Sequence, residues 1–389
     1  MLRLLHTADV HLGARHGDLG DKAAAQRERQ FAAFRATVDL ALEERVDLVL
    51  IAGDLFDTNT QPRRSVERVA AELKRLAASS IRTVVIPGTH DVYDRASIYR
   101  AHDLAALAGV GRDSDLVVVL TPDAPEVDLP SLDAVVYGRV FATKRAPRSP
   151  LEEFTAAVPG TRTWRLGLVH GSILIPGRTD HDEVVVTTEE IAKSGLDYLA
   201  LGHWHSTQQG RAGSTSWAYP GAPEAVAVDQ DRAGKVLLVT LDVDARGARS
   251  VAIEERQVGR TRFERLDVDA ATIESQPALV ARLASLADAD LVLDVRITGV
   301  RPDELDLDVD EVESELAPSV HKIRVRDVSL AALSSGPIPA EDTILGAFIR
   351  DTEARIAELE AADRDAEAAE VRDVLRLGRL LLAGHEVTL

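Results

Sequence analysis

The stretch His6-Thr7-Ala8-Asp9-Val10-His11-Leu12-Gly13 follows the apolar run Leu2 to Leu5 near the start of the chain. A short continuous apolar run of this kind is typical of a strand that is buried on both faces. Asp9 and His11 are two residues apart at the exit of that strand, so both side chains can face one ion if the chain turns there. An isolated Asp-x-His triplet is more often a polar loop than a metal site. The rest of the sequence therefore decides between the two interpretations.

Four further stretches also place Asp or His at the end of an apolar run. They are Gly53-Asp54-Leu55-Phe56-Asp57, Gly88-Thr89-His90-Asp91, His170-Gly171 and Gly202-His203-Trp204-His205. The runs before them have the length of buried strands and span Asp47 to Ala52, Thr83 to Ile86, Arg165 to Val169 and Tyr198 to Leu201. If these strands lie side by side with the first one, their C-terminal ends bring six candidate ligands to one place, two of them Asp and four of them His, namely Asp9, Asp54, His11, His170, His203 and His205.

Carboxylate and imidazole ligands in that number suit a pair of divalent cations, and paired cations suit the cleavage of phosphate esters. Each stretch alone has an ordinary alternative, such as an Asp-rich turn, a helix cap or a polar strand end. The succession of all five, each after a predicted strand, favours the metal site.

The amino-acid composition limits the classes of protein to which this chain can belong. The chain has 389 residues and no cysteine, which predicts two or three domains and excludes disulfides, thiolate catalysis and Cys-based zinc sites. No apolar run approaches the ~18 residues of a membrane span, and the first residues lack the pattern of a signal peptide, so a cytoplasmic location without membrane contact is predicted.

The net charge of −19 argues against a protein that coats nucleic acid by bulk attraction. However, residues 261–389 carry 28 acidic and 14 basic side chains of the 64 and 45 in the whole chain, which leaves residues 1–260 at a net of only −5. The acidity therefore lies mostly outside the region that carries the five stretches, and a nucleic-acid substrate stays possible.

Residues 1–260 alternate short apolar runs with helical segments, the pattern of layered α/β architecture. Helices are predicted over Ala23 to Glu44 and over Ser65 to Ala78, where apolar residues recur at helical spacing. After Leu201 the pattern becomes alternating, which predicts antiparallel strands of a second sheet packed on the first. These strands are Ser216 to Tyr219, Lys235 to Val243 and Arg249 to Gln257.

The remainder of the chain predicts two smaller parts. Residues 261–333 read as an α+β unit, with strands over Arg262 to Asp269, Leu291 to Val300 and His321 to Val328 and helices over Ile273 to Leu286 and Asp303 to Leu316. Ser334 to Pro339 has the composition of a linker. Residues 340–389 read as a C-terminal helical segment for partner binding, with helices over Glu341 to Glu360 and Arg364 to Leu382 that carry apolar stripes.

The order D-x-H, GD-x-x-D, G-x-H-D, H and GH-x-H resembles that of the calcineurin-like metallophosphoesterases. In detail, the chain looks most similar to SbcD-type double-strand-break repair nucleases. The similarity lies in three segments, from His6 to Gly13, from Gly53 to Asp57 and from Tyr219 to Glu224. The resemblance covers roughly residues 1–240 well. It implies a four-layer α/β sandwich, in which two packed mixed β-sheets are flanked by helices, followed by a small α+β capping domain and C-terminal helices.

Carried over residue by residue, the resemblance also implies two metal ions, with manganese as the metal. Asp54 would bridge the two ions, and the remaining ligands would be Asp9, His11 and His205 on the first ion and His170 and His203 on the second. His90 matches the catalytic histidine of the family, with Asp57 orienting its imidazole. A carboxylate partner fixes the tautomer of a histidine and favours the imidazolium.

One position departs from the pattern. The family places Asn in the third stretch as a ligand of the second ion, whereas this chain has Thr89. A hydroxyl on a shorter, branched side chain reaches less far and binds more weakly than an amide carbonyl. Three outcomes are compatible with this change: Thr89 or a water completes a working site, the site turns over weakly or binds only one ion tightly, or the loop that carries Thr89 has moved. Three arginines near the first two stretches are candidates for DNA contacts, namely Arg15, Arg63 and Arg64.

Three functions are compatible with these residues. The resemblance implies a DNA-repair nuclease with 3′ to 5′ exonuclease and endonuclease action at DNA ends, working as a homodimer with an SbcC-type coiled-coil ATPase. The alternatives are a phosphodiesterase for a small substrate such as a cyclic nucleotide and a catalytically weak scaffold subunit that binds DNA ends. The chain has no G-x-x-x-x-G-K-[ST] segment, so any ATPase has to come from a partner.

Overall fold

A computed structural model describes residues 1–111, 114–156, 162–226, 230, 232–302, 305–331, 339–340 and 342–384. The chain divides into two compact units, Met1–Thr261 and Arg262–Leu389. Among the described helices, none combines the length with the apolar composition that a bilayer-spanning helix needs.

The first unit contains fourteen of the named strands and five of the named helices. The strands are β1 (Leu2–Thr7), β2 (Leu48–Ala52), β3 (Arg82–Ile86), β4 (Val117–Val119), β5 (Glu126–Leu129), β6 (Ala134–Gly138), β7 (Trp164–His170), β8 (Ser172–Ile173), β9 (Val185–Val186), β10 (Tyr198–Gly202), β11 (Gln208–Ala212), β12 (Thr215–Tyr219), β13 (Lys235–Val243) and β14 (Arg249–Gln257). The helices are α1 (Ala23–Glu43), α2 (Arg63–Ala78), α3 (Ile98–Ala101), α4 (Leu104–Leu107) and α5 (Thr188–Lys193).

Two six-stranded mixed sheets form the body of this unit. Their strand orders are β14-β13-β1-β2-β3-β4 and β11-β12-β10-β7-β6-β5. In the first sheet β1 to β4 are parallel, whereas β13 pairs antiparallel with β1 and β14 with β13. In the second sheet β6, β7, β10 and β12 are parallel to one another, and β5 and β11 are antiparallel edge strands.

This topology corrects two expectations about strand placement. The five strands that precede the motifs do not form one sheet, because β1, β2 and β3 belong to the first sheet and β7 and β10 to the second. The strands β13 and β14, which were expected in the second sheet, instead complete the first, with Leu4 paired to Val239. Alternation along a strand indicates which face is buried but not which edge the strand joins, so the sequence could not decide this point.

The layers are held together by three apolar contact zones. Leu50 and Ile86 of the first sheet pack against Leu168 and Tyr198 of the second, and all four are fully buried. Helices α1 and α2 cover the opposite face of the first sheet, while α5 covers the opposite face of the second. The predicted α/β architecture of two mixed sheets flanked by helices is therefore confirmed. The helix bounds agree with the prediction to within one residue for α1 and two for α2.

The described part of the second unit contains a three-stranded parallel sheet and the four helices named below. Its strands are β15 (Arg262–Asp269), β16 (Leu291–Thr298), β17 (Val300–Arg301), β18 (Lys322–Asp327) and β19 (Leu330–Ala331), and its helices are α6 (Gln276–Ala284), α7 (Val309–Leu316), α8 (Ile344–Ala361) and α9 (Asp365–Leu382). The sheet order is β15-β16-β18, with α6 and α7 as the crossovers that share its apolar core.

Two of the predicted helices in this unit are shorter than expected. Helix α7 begins at Val309 because Asp308 caps it, its carboxylate accepting a hydrogen bond from the Glu311 N–H at 3.0 Å. Helix α6 similarly begins after Ser275, whose hydroxyl accepts from the Ala278 N–H. Residues 303–304 and residues 334–338 of the predicted linker lie outside the described part of the chain.

Helices α8 and α9 pack against each other as a hairpin. Gly378 of α9 allows close approach of Phe348, because a Cβ at Gly378 would lie 2.2 Å from the Phe348 ring. Arg379 and Glu353 form an ion pair across the hairpin at 3.1 Å. Ile344 and Val374 nevertheless stay 80% and 55% exposed, so the hairpin does not bury all of its apolar residues.

Candidate metal centre

The loops that follow β1, β2, β3, β7 and β10 meet at one edge of the two sheets. Backbone hydrogen bonds join the first two loops, from Asp9 N–H to Gly53 O at 3.1 Å and from His11 N–H to Asp54 O at 2.9 Å. The loop after β10 joins them from the second sheet, because the His203 N–H lies 3.0 Å from both carboxylate oxygens of Asp9. These bonds bring residues nearly 200 positions apart to a single site.

Four of the predicted ligands have left-handed backbone conformations, which non-glycine residues seldom adopt. Their φ angles are 53° for Asp9, 48° for His11, 49° for Asp54 and 105° for His203. Such conformations cluster at functional sites, where the surrounding structure holds them in place. Here the turn immediately after each strand directs a polar side chain across the edge of the sheets.

The side chains form three overlapping groups whose candidate ligand atoms lie within 4.8 Å of one another. The groups are Asp9 with His11 and His205, Asp9 with Asp54 and His170, and His11 with Asp57 and His90. The shared members Asp9 and His11 connect the three groups. The imidazole of His203 belongs to none of them, although its ring lies 5.3 Å from that of His170 and its Nε2 lies 4.0 Å from Asp182.

Three histidines present Nε2 toward the buried carboxylates, where this atom can hold a cation. The Nδ1 of His170 lies 2.8 Å from the Ala52 carbonyl, to which it donates, so Nε2 is the ring nitrogen that carries the lone pair once the imidazole has lost its second proton. That Nε2 is buried and lies 3.1 Å from Asp54 Oδ2 without hydrogen-bond geometry. Nε2 of His11 lies 3.9 Å from the same Asp54 oxygen, and Nε2 of His11 and Nε2 of His205 approach each other to 3.1 Å. Nitrogen atoms that converge in this way around buried carboxylates fit divalent cations.

The charges at the site are also those of a cation site. Burial raises the pKa of Asp9 to about 6, although His170 and His11 act in the opposite direction. Burial acts on Asp54 too, but His170, followed by His11, holds the pKa of Asp54 far below its ordinary value. Burial lowers the pKa of His170, yet the Asp54 carboxylate outweighs this effect and the pKa is about 10. Divalent cations would supply the positive charge that protons on these histidines otherwise provide.

The two histidines from the loop after β10 behave differently. Burial lowers the pKa of His203 to about 4 and that of His205 to about 3, with nearby histidines adding to the effect. Both imidazoles are therefore neutral near neutral pH, which is the form that binds metal. The side-chain amide of Gln230 lies 2.5 Å from His205 Nδ1 and fixes the ring.

The third loop brings Thr89 and His90 to the site. The Thr89 hydroxyl donates to Asp54 Oδ2 at 3.4 Å, and the His90 N–H donates to Asp54 Oδ1 at 2.8 Å. Nδ1 of His90 lies 3.0 Å from the backbone carbonyl of Asp57 but 3.8 Å from its carboxylate. The carboxylate is nearer to Nδ1 of His11, at 3.4 Å. Asp57 thus contacts His90 chiefly through its main chain, which the sequence alone could not indicate.

Two residues that support this loop received no role from the sequence. The carboxylate of Asp91 is fully buried and accepts hydrogen bonds from the Gly88 N–H at 2.7 Å, the Phe56 N–H at 3.1 Å and the Tyr99 hydroxyl at 2.5 Å. Asn59 donates to the Val92 carbonyl at 2.9 Å. Asp91 is the last residue of the Gly-Thr-His-Asp stretch, and this position in the motif is the sequence signal that could have indicated its supporting role.

The three arginines proposed as DNA contacts lie near the first two motifs. Arg15 lies in the loop after β1, and Arg63 and Arg64 are the first two residues of α2. Arg15 and Arg64 are exposed and line one cavity. Arg63 is paired with Glu67 at 2.8 Å, one helical turn later.

Comparison with known proteins agrees with this geometry. The calcineurin-like phosphoesterase family matches residues 2–207. The DNA double-strand break repair protein Mre11 of Aeropyrum pernix is 30% identical to the chain, covering 63% of the chain and 59% of that relative. Mre11 of Saccharolobus solfataricus is 30% identical, covering 53% and 50%, and the uncharacterized metallophosphoesterase YhaO of Bacillus subtilis is 27% identical, covering 58% and 53%. The matched region is thus half to three-fifths of the length of these relatives.

The family match extends over more than half of the sequence and includes all five motifs whose side chains meet at the edge of the two sheets. The chain therefore belongs to the calcineurin-like phosphoesterase family, whose members are metal-dependent phosphoesterases.

Proposed function

We propose that this protein is a metal-dependent nuclease that hydrolyses phosphodiester bonds at DNA ends during repair. The observation that carries the proposal is the set of overlapping Asp and His groups that share Asp9 and His11. A site of this kind serves many phosphate esters, so the substrate has to be argued from other features. DNA is favoured because relatives at 30% identity are named as double-strand break repair proteins.

In this proposal, the first ion is held by Asp9, His11, Asp54 and His205, and the second by Asp54, Thr89, His170 and His203. Two bound divalent cations, with manganese as the proposed metal, would neutralise the phosphate and lower the pKa of a bound water. The Nδ1–H of His90 donates to the Asp57 carbonyl, so the proton that the imidazolium form would give to the departing oxygen is the one on Nε2.

The proposed assembly, a homodimer with a partner ATPase, rests on fewer observations than the proposed chemistry. A homodimer would place two sites near one DNA end, and a coiled-coil ATPase of the SbcC type would supply the motor activity. The helical hairpin of α8 and α9 is the proposed contact for the ATPase, because Ile344, Val374 and Leu381 leave apolar surface exposed on it. The cytoplasm remains the proposed location.

The substitution at Thr89 supports a second candidate, a DNA-end-binding scaffold with weak catalysis. The Thr89 hydroxyl contacts Asp54 itself, so it adds a neutral donor where the family places an amide carbonyl. Metal titration separates the two candidates, because the nuclease requires two ions per chain and fewer than two would favour the scaffold.

The decisive experiment compares hydrolysis of end-labelled duplex DNA with hydrolysis of a small phosphodiester, both with manganese. A nuclease cleaves the duplex far faster, and the labelled products give the polarity, which we propose to be 3′ to 5′. Hydrolysis of only the small substrate would instead support a phosphodiesterase for small molecules such as cyclic nucleotides. No hydrolysis of either substrate with two ions bound would contradict the enzymatic proposal.

A further inference from the structure

The loop that follows His170 returns to the metal centre through a chain of side-chain contacts. The hydroxyl of Ser172 in β8 donates to the carboxylate of Asp182, and it accepts from the indole N–H of Trp204 at 3.0 Å. The same carboxylate oxygen of Asp182 lies 4.0 Å from Nε2 of His203, the residue before Trp204. The chain of contacts therefore starts beside His203 in the sequence and ends at its imidazole.

Buried groups anchor this chain of contacts. The Trp204 indole stacks on the ring of Tyr219, with the ring centroids 5.1 Å apart and the planes inclined by 17°. The Tyr219 hydroxyl donates to the Gly171 carbonyl at 2.8 Å and accepts from the Ile173 N–H at 2.9 Å. Ser172, which lies between these two residues, is fully buried. The hydroxyl that contacts Asp182 is thus fixed on both sides by the packed part of the fold.

The imidazole of His203 lacks the support that the other two predicted histidine ligands of the second sheet have. Nδ1 of His170 and Nδ1 of His205 each contact a polar group of the protein, at 2.8 and 2.5 Å. Of the residues that the structure describes, none hydrogen-bonds to the His203 imidazole, and Asp182 alone places a carboxylate within 4.0 Å of one of its ring nitrogens. A histidine that binds metal usually donates its other ring N–H to such a partner, which fixes the tautomer and the ring orientation.

From these contacts we propose that Asp182 is a positioning residue for His203, accepting the Nε2–H of its imidazole so that Nδ1 is left for the second ion. A carboxylate favours the ring proton on the nitrogen nearest to it, and the lone pair then lies on the other nitrogen. A direct hydrogen bond would join the two atoms at about 2.8 Å. Neither side chain is enclosed, since 20% of His203 and 29% of Asp182 are exposed, so a rotation of the imidazole can close the gap. The inference rests on the proposed assignment of His203 to the second ion, not on the substrate.

Glu183, the residue after Asp182, provides a matched control. Burial lowers the pKa of His203, whereas the carboxylates of Asp182 and Glu183 both act in the opposite direction. Glu183 is 33% exposed and pairs with Lys144 at 3.9 Å instead of contacting His203. The two carboxylates therefore resemble each other in charge and exposure, and they differ in their contact with the imidazole and with Ser172.

The test titrates protein that has been freed of metal with manganese in a calorimeter. In Asp182→Asn the affinity for one of the two ions should fall by about 10- to 100-fold, because a neutral amide does not select the tautomer. The other ion should bind with wild-type affinity. Glu183→Gln removes the same charge and should leave both affinities unchanged. Asp182→Glu should retain most of the affinity, because the longer side chain still ends in a carboxylate.

Nuclear magnetic resonance separates this role from general support of the loop. In zinc-loaded protein with ¹⁵N-labelled histidine, the ring N–H of His203 is identified by its absence from His203→Ala. The wild-type proton should be on Nε2, at low field and in slow exchange with water, since it is hydrogen-bonded to a carboxylate. In Asp182→Asn this signal should move upfield and exchange faster. Ser172→Ala should weaken the same ion, and combining it with Asp182→Asn should add little, because both act through one contact.

Two results would overturn the inference while leaving the nuclease proposal intact. One is wild-type protein that binds two ions and cleaves DNA while Asp182→Asn binds manganese like Glu183→Gln. The other is a His203 ring proton on Nδ1, which would make Nε2 the ligand atom. Wild-type protein that binds two ions but cleaves no DNA would contradict the proposed function, and weaker binding of one ion in Asp182→Asn would still support the role of Asp182. The melting temperature of each variant in EDTA checks that it is folded.

Discussion

Asp91 should contribute strongly to the stability of the first unit and to the position of the loop after β3. Its fully buried carboxylate accepts three hydrogen bonds, from the Gly88 N–H, the Phe56 N–H and the Tyr99 hydroxyl, at 2.7, 3.1 and 2.5 Å. Gly88 belongs to the loop after β3 and Phe56 to the loop after β2. One side chain therefore joins the two loops that carry Asp54, Asp57, Thr89 and His90.

The substitution Asp91→Asn keeps the shape of the side chain but changes its hydrogen bonding. The amide has one acceptor oxygen in place of two, so at least one of the three donors loses its partner and faces an NH₂ group. A hydrogen bond to a charged group contributes about 1.5–3 kcal/mol, and a buried donor without a partner costs about 1–3 kcal/mol. We therefore expect the free energy of unfolding to fall by about 3 kcal/mol or more. Metal affinity should also fall, by about 10- to 100-fold, as for other residues that support ligands.

Urea unfolding with EDTA present measures the loss of stability without a contribution from metal, and calorimetric titration measures manganese affinity. Tyr99→Phe removes one of the three donors and should cost about 1–2 kcal/mol. The control Asp123→Asn makes the same chemical change at an exposed position and should change neither quantity. The reasoning is refuted if Asp91→Asn unfolds at the same urea concentration as wild type and binds manganese equally well.

Three further predictions concern single residues. Thr89→Asn places an amide carbonyl beside Asp54 and should tighten manganese binding at one of the two sites by about tenfold, or 1.4 kcal/mol. Unchanged manganese affinity in a calorimetric titration would show that the threonine does not weaken the site. His170→Ala removes an imidazole whose Nε2 lies 3.1 Å from Asp54 Oδ2. The variant should bind one manganese ion per chain in place of two, as counted by equilibrium dialysis. Two ions still bound would exclude His170 as a ligand. Burial lowers the pKa of His6 to about 3, so His6 stays neutral in the native protein. In the unfolded chain this histidine takes up a proton below pH 6.5, which favours unfolding. The free energy of unfolding therefore decreases as the pH falls from 6.5 toward 3. Between pH 7 and 5, His6→Gln should therefore lose about 2 kcal/mol less stability than wild type in EDTA, as measured by urea unfolding; parallel losses would show that His6 is not the linked group.

The sequence predicted the layered α/β fold and the meeting place of the motifs because both follow from local pattern. Each motif comes directly after a short apolar run, and the C-terminal ends of parallel strands meet at one edge of a sheet. Even with β7 and β10 in a different sheet from β1, the loops still converge, since the two sheets pack face to face with their motif-bearing ends together. The error in strand placement therefore did not affect the predicted site.

What the sequence could not predict depends on contacts between distant main-chain atoms. The carbonyl of Asp57 contacts His90, and the N–H of His203 donates to the carboxylate of Asp9. Every residue except proline has both of these main-chain groups, so the residue type does not reveal which of them will be used.

The metal centre is also the place where the chain departs from the rules that its strands and helices follow. Asp9, His11, Asp54 and His203 adopt left-handed backbone conformations, each at a cost of order 1–3 kcal/mol, and two of the carboxylates are almost fully buried. The hydrogen bonds from the His203 N–H to the Asp9 carboxylate, and from three donors to the Asp91 carboxylate, offset part of this cost in the protein itself. Bound cations would offset more, since a ligand at 100 times its dissociation constant adds about 2.7 kcal/mol. The same bonds that join the two sheets thus hold the ligands in place, so folding of the first unit and formation of its metal centre are coupled.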